Sequence, residues 1–150
     1  LSKTEFIKVQ NRLSQQLAKP GGMTADIATQ RARRELAAQA GDAKKSLGVT
    51  IGRMETMCAE KTASADDIYV ESAVVLDIAG MFDMRTLCDA SYSLCELTDR
   101  LRTKGRQDWS SIGVHVNALR LIWSKDDKDA EQLKSVVDGL WAITDRLDAG

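Results

Sequence analysis

The sequence predicts an all-α protein, an up-down bundle of four to five helices with one long N-terminal helix. Apolar residues recur at threes and fours in successive segments. No stretch has the alternating, β-branched pattern of a strand, and the nearest, Val74–Leu76, sits inside a helical pattern. Between the segments stand aspartates and glycines suited to starting and ending helices.

The first segment carries Phe6, Val9, Leu13 and Leu17 at helical spacing, and Lys19-Pro20-Gly21-Gly22 is the strongest break in the chain. This divides an N-terminal amphipathic segment, residues 1–19, from a bundle domain, residues 20–150. Thr24 or Asp26 can cap a helix running to about Cys58, with the stripe Ala32, Leu36, Ala40, Ala43, Leu47, Ile51, Met54 and Cys58. At 1.5 Å per residue it is about 50 Å long, far longer than its neighbours. It either breaks near Gly41, Gly48 or Gly52, or its extra length calls for a partner chain.

Asp66 or Asp67 can open the next helix, which runs to roughly Phe82. Ile68, Val75, Ile78, Ala79 and Phe82 share one side, and Val70, Val74 and Met81 make the rest apolar too. Arg85–Lys104 is cleaner: Leu87, Ala90, Leu94, Leu97, Thr98 and Leu101 face inward, Asp89, Tyr92, Glu96 and Asp99 outward, and Gly105 ends it. Asp108 caps Trp109–Trp123, which is apolar around most of its circumference. That breadth suits the centre of a bundle or half of a subunit contact. Asp126, Asp127 or Asp129 caps a last helix striped by Leu133, Val136, Val137, Leu140, Ile143 and Leu147.

The chain has 150 residues, enough for one domain with a sizeable core. Lysine and arginine number 21 against 22 acids, a balance that argues against nucleic acid or an anionic membrane as the default partner. Residues 1–60 carry 10 basic and 6 acidic groups and residues 61–150 carry 11 and 16, a polarity best read as solvated helix faces. Cys58, Cys88 and Cys95 are an odd count, and Cys88 and Cys95 lie about 10 Å apart along a helix, too far to bridge. Reduced thiols, no secretory core and no membrane-length apolar run point to a cytoplasmic protein.

His115, the lone histidine, falls inside the apolar arc of Trp109–Trp123 beside Leu119 and Ile122. It is either a packed ring whose nitrogens bond neighbours or a phospho-accepting or general-base imidazole. The run His115-Val116-Asn117-Ala118-Leu119-Arg120 lacks the lysine and glycine that follow the acceptor in histidine phosphotransfer domains. Glu71 projects onto the apolar side of its own helix, where a carboxylate needs an arginine, a histidine or backbone donors, or takes up a proton. A Glu71–His115 pair is therefore expected, as a structural contact or an acid/base couple. One histidine and three scattered cysteines have no zinc spacing, and no di-iron, calcium or phosphate-binding motif is present, so neither metal nor cofactor is expected. Ser110 and Ser111 have no plausible triad. Trp109, Ile112, Val116, Leu119 and Trp123 form the candidate interface of a homodimer, because two helices apolar nearly all round exceed what a simple bundle covers.

Three stretches carry a resemblance: Pro20-Gly21-Gly22 before a long helix; Leu94-Cys95-Glu96-Leu97-Thr98-Asp99; and Trp109-x-x-Ile112-x-Val114-His115-Val116-x-Ala118-Leu119-Arg120-Leu121. Together they resemble small helical proteins of alphaproteobacteria found among chemotaxis genes, sometimes called CheE-like, across most of residues 20–125. The resemblance implies a cytoplasmic signalling accessory and carries over no catalytic role. The sequence-based expectation is a non-enzymatic signalling or adaptor protein that dimerises and meets a receiver domain or kinase. Its alternatives are an atypical phosphotransfer protein using His115 and an enzyme with a polar pocket near Glu71 and His115.

Overall fold

The computed structural model describes residues 21–22, 24–125 and 129–147, which form five helices and, among those residues, no strand. They are α1 (Ala25–Glu60), α2 (Ala65–Met81), α3 (Arg85–Thr103), α4 (Trp109–Lys125) and α5 (Ala130–Arg146). The amphipathic segment expected over residues 1–19 and the candidate caps Asp126 and Asp127 lie outside the described residues. The chain divides into two units, one ending at Ala38 and the other beginning at Gln39. Of the first, the described part is exposed throughout and contains the start of α1, where Thr24 Oγ1 accepts the Ile27 amide at 3.3 Å.

The second unit is an up-down bundle with connections only three to five residues long, which make sequential helices antiparallel neighbours. From Gln39 onward α1 turns Ala43, Leu47, Ile51 and Met54 into the core, as its stripe predicts. Of the two alternatives for its length, the break does not occur: α1 is one helix through Gly41, Gly48 and Gly52.

Helix α3 packs against α2, α4 and α5. The segment Trp109–Trp123, which the sequence offers as the centre of a bundle or half of a subunit contact, lies in α4 and packs against α3 and α5. Leu87, Leu94, Leu97 and Leu101 give α3 the inward face that its pattern shows. Ser91, Ser93, Cys95 and Thr98 are buried as well and widen that face. A serine or threonine on a helix can donate to the carbonyl one turn back, leaving a small, satisfied surface. Ser91 donates to Leu87 at 2.7 Å and Thr98 to Leu94 at 2.9 Å. Residues that look polar in sequence thus pack as small apolar ones.

The helix ends follow local chemistry. Ser64, rather than Asp66 or Asp67, caps α2: its hydroxyl accepts the Asp67 amide while Asp67 Oδ2 accepts the Ser64 amide at 2.7 Å. At the end of α3 the Gly105 amide bonds Arg102 at 3.0 Å and the Arg106 amide bonds Leu101 at 2.9 Å, with Gly105 at φ +60°. The same motif closes α2 with Asp83 in the left-handed position, φ +56°. Asp108 caps α4 as expected, Oδ1 accepting the Ser111 amide at 3.0 Å.

Candidate functional site

His115 lies where α3, α4 and α5 meet and is wholly buried. Its Nδ1 is 2.9 Å from the Ser111 carbonyl, which can only accept, so Nδ1 carries the proton and Nε2 of the neutral ring is an acceptor. Facing Nε2 are the Ser93 hydroxyl of α3 at 3.1 Å and the Thr144 hydroxyl of α5 at 3.2 Å, themselves 3.1 Å apart. One hydroxyl donates to Nε2, and Thr144 also has the Leu140 carbonyl at 3.2 Å. Every polar atom in the knot has a partner. Burial pushes the imidazole below its ordinary value of 6.5, and the Ser111 carbonyl, which favours the protonated ring, offsets this only in part.

Glu71 is elsewhere. It is half-buried on α2 and forms an ion pair with Arg53 of α1 at 2.9 Å. The expected Glu71–His115 pair is therefore replaced by two separate contacts. The reason is register: His115 points to α3 and α5, whereas Glu71 points to α1. Neither residue lines the clefts of about 390, 280, 520 and 260 Å³ on the bundle surface.

The five residues expected at an interface divide as well. Ile112, Val116 and Leu119 are at most 1 % exposed within a single chain and belong to its core. Trp109 and Trp123 are half-buried against that core. Trp123 seats its indole on α1: Nε1 donates to the Lys44 carbonyl at 2.8 Å, and the flat backbone of Gly48 makes room for the ring. Beside it Arg120 makes a two-pronged contact with Glu55 at 2.9 and 2.7 Å and donates to the Gly48 carbonyl. The Arg120 guanidinium holds the Glu55 carboxyl below its usual range. This latch joins α1 to α4. Reading Arg120 only against an acceptor-histidine pattern hid its role, although Gly48 and Glu55 lie seven apart on one face of α1.

The bundle leaves apolar side chains outside. On α2 these are Val70, Val74 and Met81, 59 %, 38 % and 74 % exposed, and on α4 Val114 and Leu121. Cys95 is buried with its sulfur 3.2 Å from the Ser72 hydroxyl, and burial raises its thiol and those of Cys58 and Cys88. Among the described residues no group of three His, Cys, Asp or Glu side chains is placed to hold a metal ion, and no helix is long and apolar enough to cross a membrane. In comparison with known proteins, the chain matches no family model, no curated protein and no solved structure.

Proposed function

We propose that the protein is a non-enzymatic cytoplasmic adaptor of a signalling system, associated with chemotaxis, that works through helix-mediated contacts with other proteins. The observation that carries this reading is the row Val70, Val74 and Met81, which stays in solvent after the bundle has closed its core. Exposed apolar rows of this kind are a recurrent mark of protein contact surfaces. The resemblance of Leu94–Asp99 and Trp109–Leu121 to chemotaxis-associated helical proteins supports the signalling context. Self-association belongs to the same reading, with Val114 and Leu121 of α4 as its surface in place of the buried Ile112, Val116 and Leu119.

Nothing in the geometry favours the phosphotransfer alternative. A phosphoryl group on His115 Nε2 has to displace two hydroxyls from a sealed site. A receiver or kinase remains a partner of the adaptor through surface contact.

The test is recovery of partners from the native cell with the tagged chain and with a Val70→Ser, Val74→Ser, Met81→Ser variant. The expected result is a signalling protein recovered by the first and lost by the second. Acid-labile phosphate on the chain that disappears in His115→Ala would overturn the adaptor reading. Light scattering that shows a strict monomer would remove self-association from it.

A further inference from the structure

The outer face of α2 specifies more than an unnamed partner. Its inner face packs Ile68, Ser72, Val75 and Ala79, and its outer face aligns Val70, Val74, Asp77 and Met81 at spacings of four, three and four. That spacing repeats one side of a helix over three turns, about 16 Å, the comb on which a second helix can lie. The helix has four acids, Asp66, Asp67, Glu71 and Asp77, and no basic residue. Three of the acids are engaged: Asp66 by Arg102 at 3.0 Å, Glu71 by Arg53 at 2.9 Å, and Asp67 in the cap with Ser64. Asp77 is exposed between Val74 and Met81, and among the described residues no cation is paired with it.

A helix laid on Val70, Val74 and Met81 takes Asp77 out of water with them. A carboxylate buried without a counter-charge is strongly unfavourable, so the docked helix must bring its own cation to that point. A second copy of α2 has none. We infer that the Val70–Val74–Asp77–Met81 face of α2 docks an amphipathic helix of another protein, one that carries a lysine or arginine flanked by apolar residues one turn to either side. This rests on the adaptor reading and adds the chemistry of its partner. Arg53 and Arg102 border the face already neutralised by Glu71 and Asp66, which leaves Asp77 as the selective charge.

The probe is a fluorescent synthetic helix of leucine and lysine, with its leucine and glutamate counterpart, titrated by anisotropy against the full chain. The lysine peptide is expected to bind and the glutamate peptide not. Asp77→Asn should weaken binding about tenfold, Asp77→Lys should abolish it, Val74→Ser should weaken it, and Asp89→Asn on α3 should leave it unchanged. Circular dichroism confirms that each variant keeps its helix content. Equal binding of both peptides, or of Asp77→Asn and the parent, overturns the charge assignment. A dimer that Val70→Ser, Val74→Ser and Met81→Ser convert to monomer overturns it in favour of a second copy. If the peptide titration fails while the native-cell partner is still lost on altering Val70, Val74 and Met81, the adaptor reading stands and only the basic-helix assignment falls.

Discussion

Replacing Gly48 by alanine sets two physical effects against each other in a single methyl group. In an unencumbered helix interior the change stabilises by roughly 0.5–1 kcal/mol, because alanine loses less backbone freedom on folding. At Gly48, however, the added Cβ falls 2.7 Å from Cζ2 and 3.2 Å from Cε2 of Trp123. Ordinary carbon contacts begin near about 3.5 Å, so the indole has to retreat by about 0.8 Å. It is not free to do so. Its Nε1 is bonded to the Lys44 carbonyl at 2.8 Å, and the Arg120 guanidinium stacks 5.1 Å from the ring centroid. Overpacking of this size costs about 1–3 kcal/mol, and loss of the indole bond adds about 1 kcal/mol. Set against the propensity gain, Gly48→Ala is expected to destabilise by about 1–3 kcal/mol. Urea unfolding followed by far-ultraviolet circular dichroism measures it, with Gly139→Ala of α5 in parallel, since nothing lies within 4 Å of a Cβ there. Gly139→Ala should stabilise by about 0.5–1 kcal/mol. A Trp123→Leu background should make alanine at 48 tolerable, and the coupling between the two changes reports the contact itself. If Gly48→Ala stabilises as much as Gly139→Ala, the close approach of α1 and α4 at the indole is wrong.

Two further predictions follow from groups the bundle encloses or strains. His115 is neutral in the fold and its folded value lies below 6.5, so under acid the unfolded chain takes up a proton before the native one. Stability should therefore be level above about pH 7.5 and fall as pH drops below 6.5, with a slope of at most ~1.4 kcal/mol per pH unit until the folded ring is itself protonated. Glu55 and Asp108 are held below their ordinary 4.5 and 3.8, so their contribution is lost only at lower pH, and the window from about 5.5 to 6.5 isolates His115. Denaturation at several pH values should show the slope vanish in His115→Asn; an unchanged slope refutes the assignment. Asp83 occupies a left-handed position at φ +56° and makes only an exposed ion pair with Arg85, so Asp83→Gly should stabilise by about 0.5–1 kcal/mol, and destabilisation in a thermal melt would show that the Arg85 pair matters more.

The legible part of the fold was the part governed by residues near one another in sequence. Leu47, Ile51 and Met54 on α1, and Leu94, Leu97 and Leu101 on α3, announce buried faces by spacing alone. Gly105 and Asp108 mark an end and a start because the left-handed conformation and the unpaired first amides are local needs. The full breadth of the inward face of α3 was not legible. Ser91, Ser93 and Thr98 look polar, yet they disappear into the core, because Ser91 and Thr98 donate to carbonyls one turn back and the Ser93 hydroxyl bonds His115 and Thr144. Nor was the partner of Glu71. Its position on an apolar side left a cation, backbone donors or a proton open and pointed to His115, and only the packing of α1 on α2 brought Arg53 to it.

The sequence by itself determined the helical class, most of the helix boundaries and which rows of side chains leave water, since each depends on backbone propensity, capping and period within a few turns. Only the tertiary structure decided that His115 is sealed by Ser93 and Thr144, that Gly48 exists for the Trp123 ring, and that Val70, Val74 and Met81 remain outside. Those outcomes depend on which face of one helix meets which face of another. The free energy that decides it is a sum over many contacts between residues distant in the chain, and no single segment carries it.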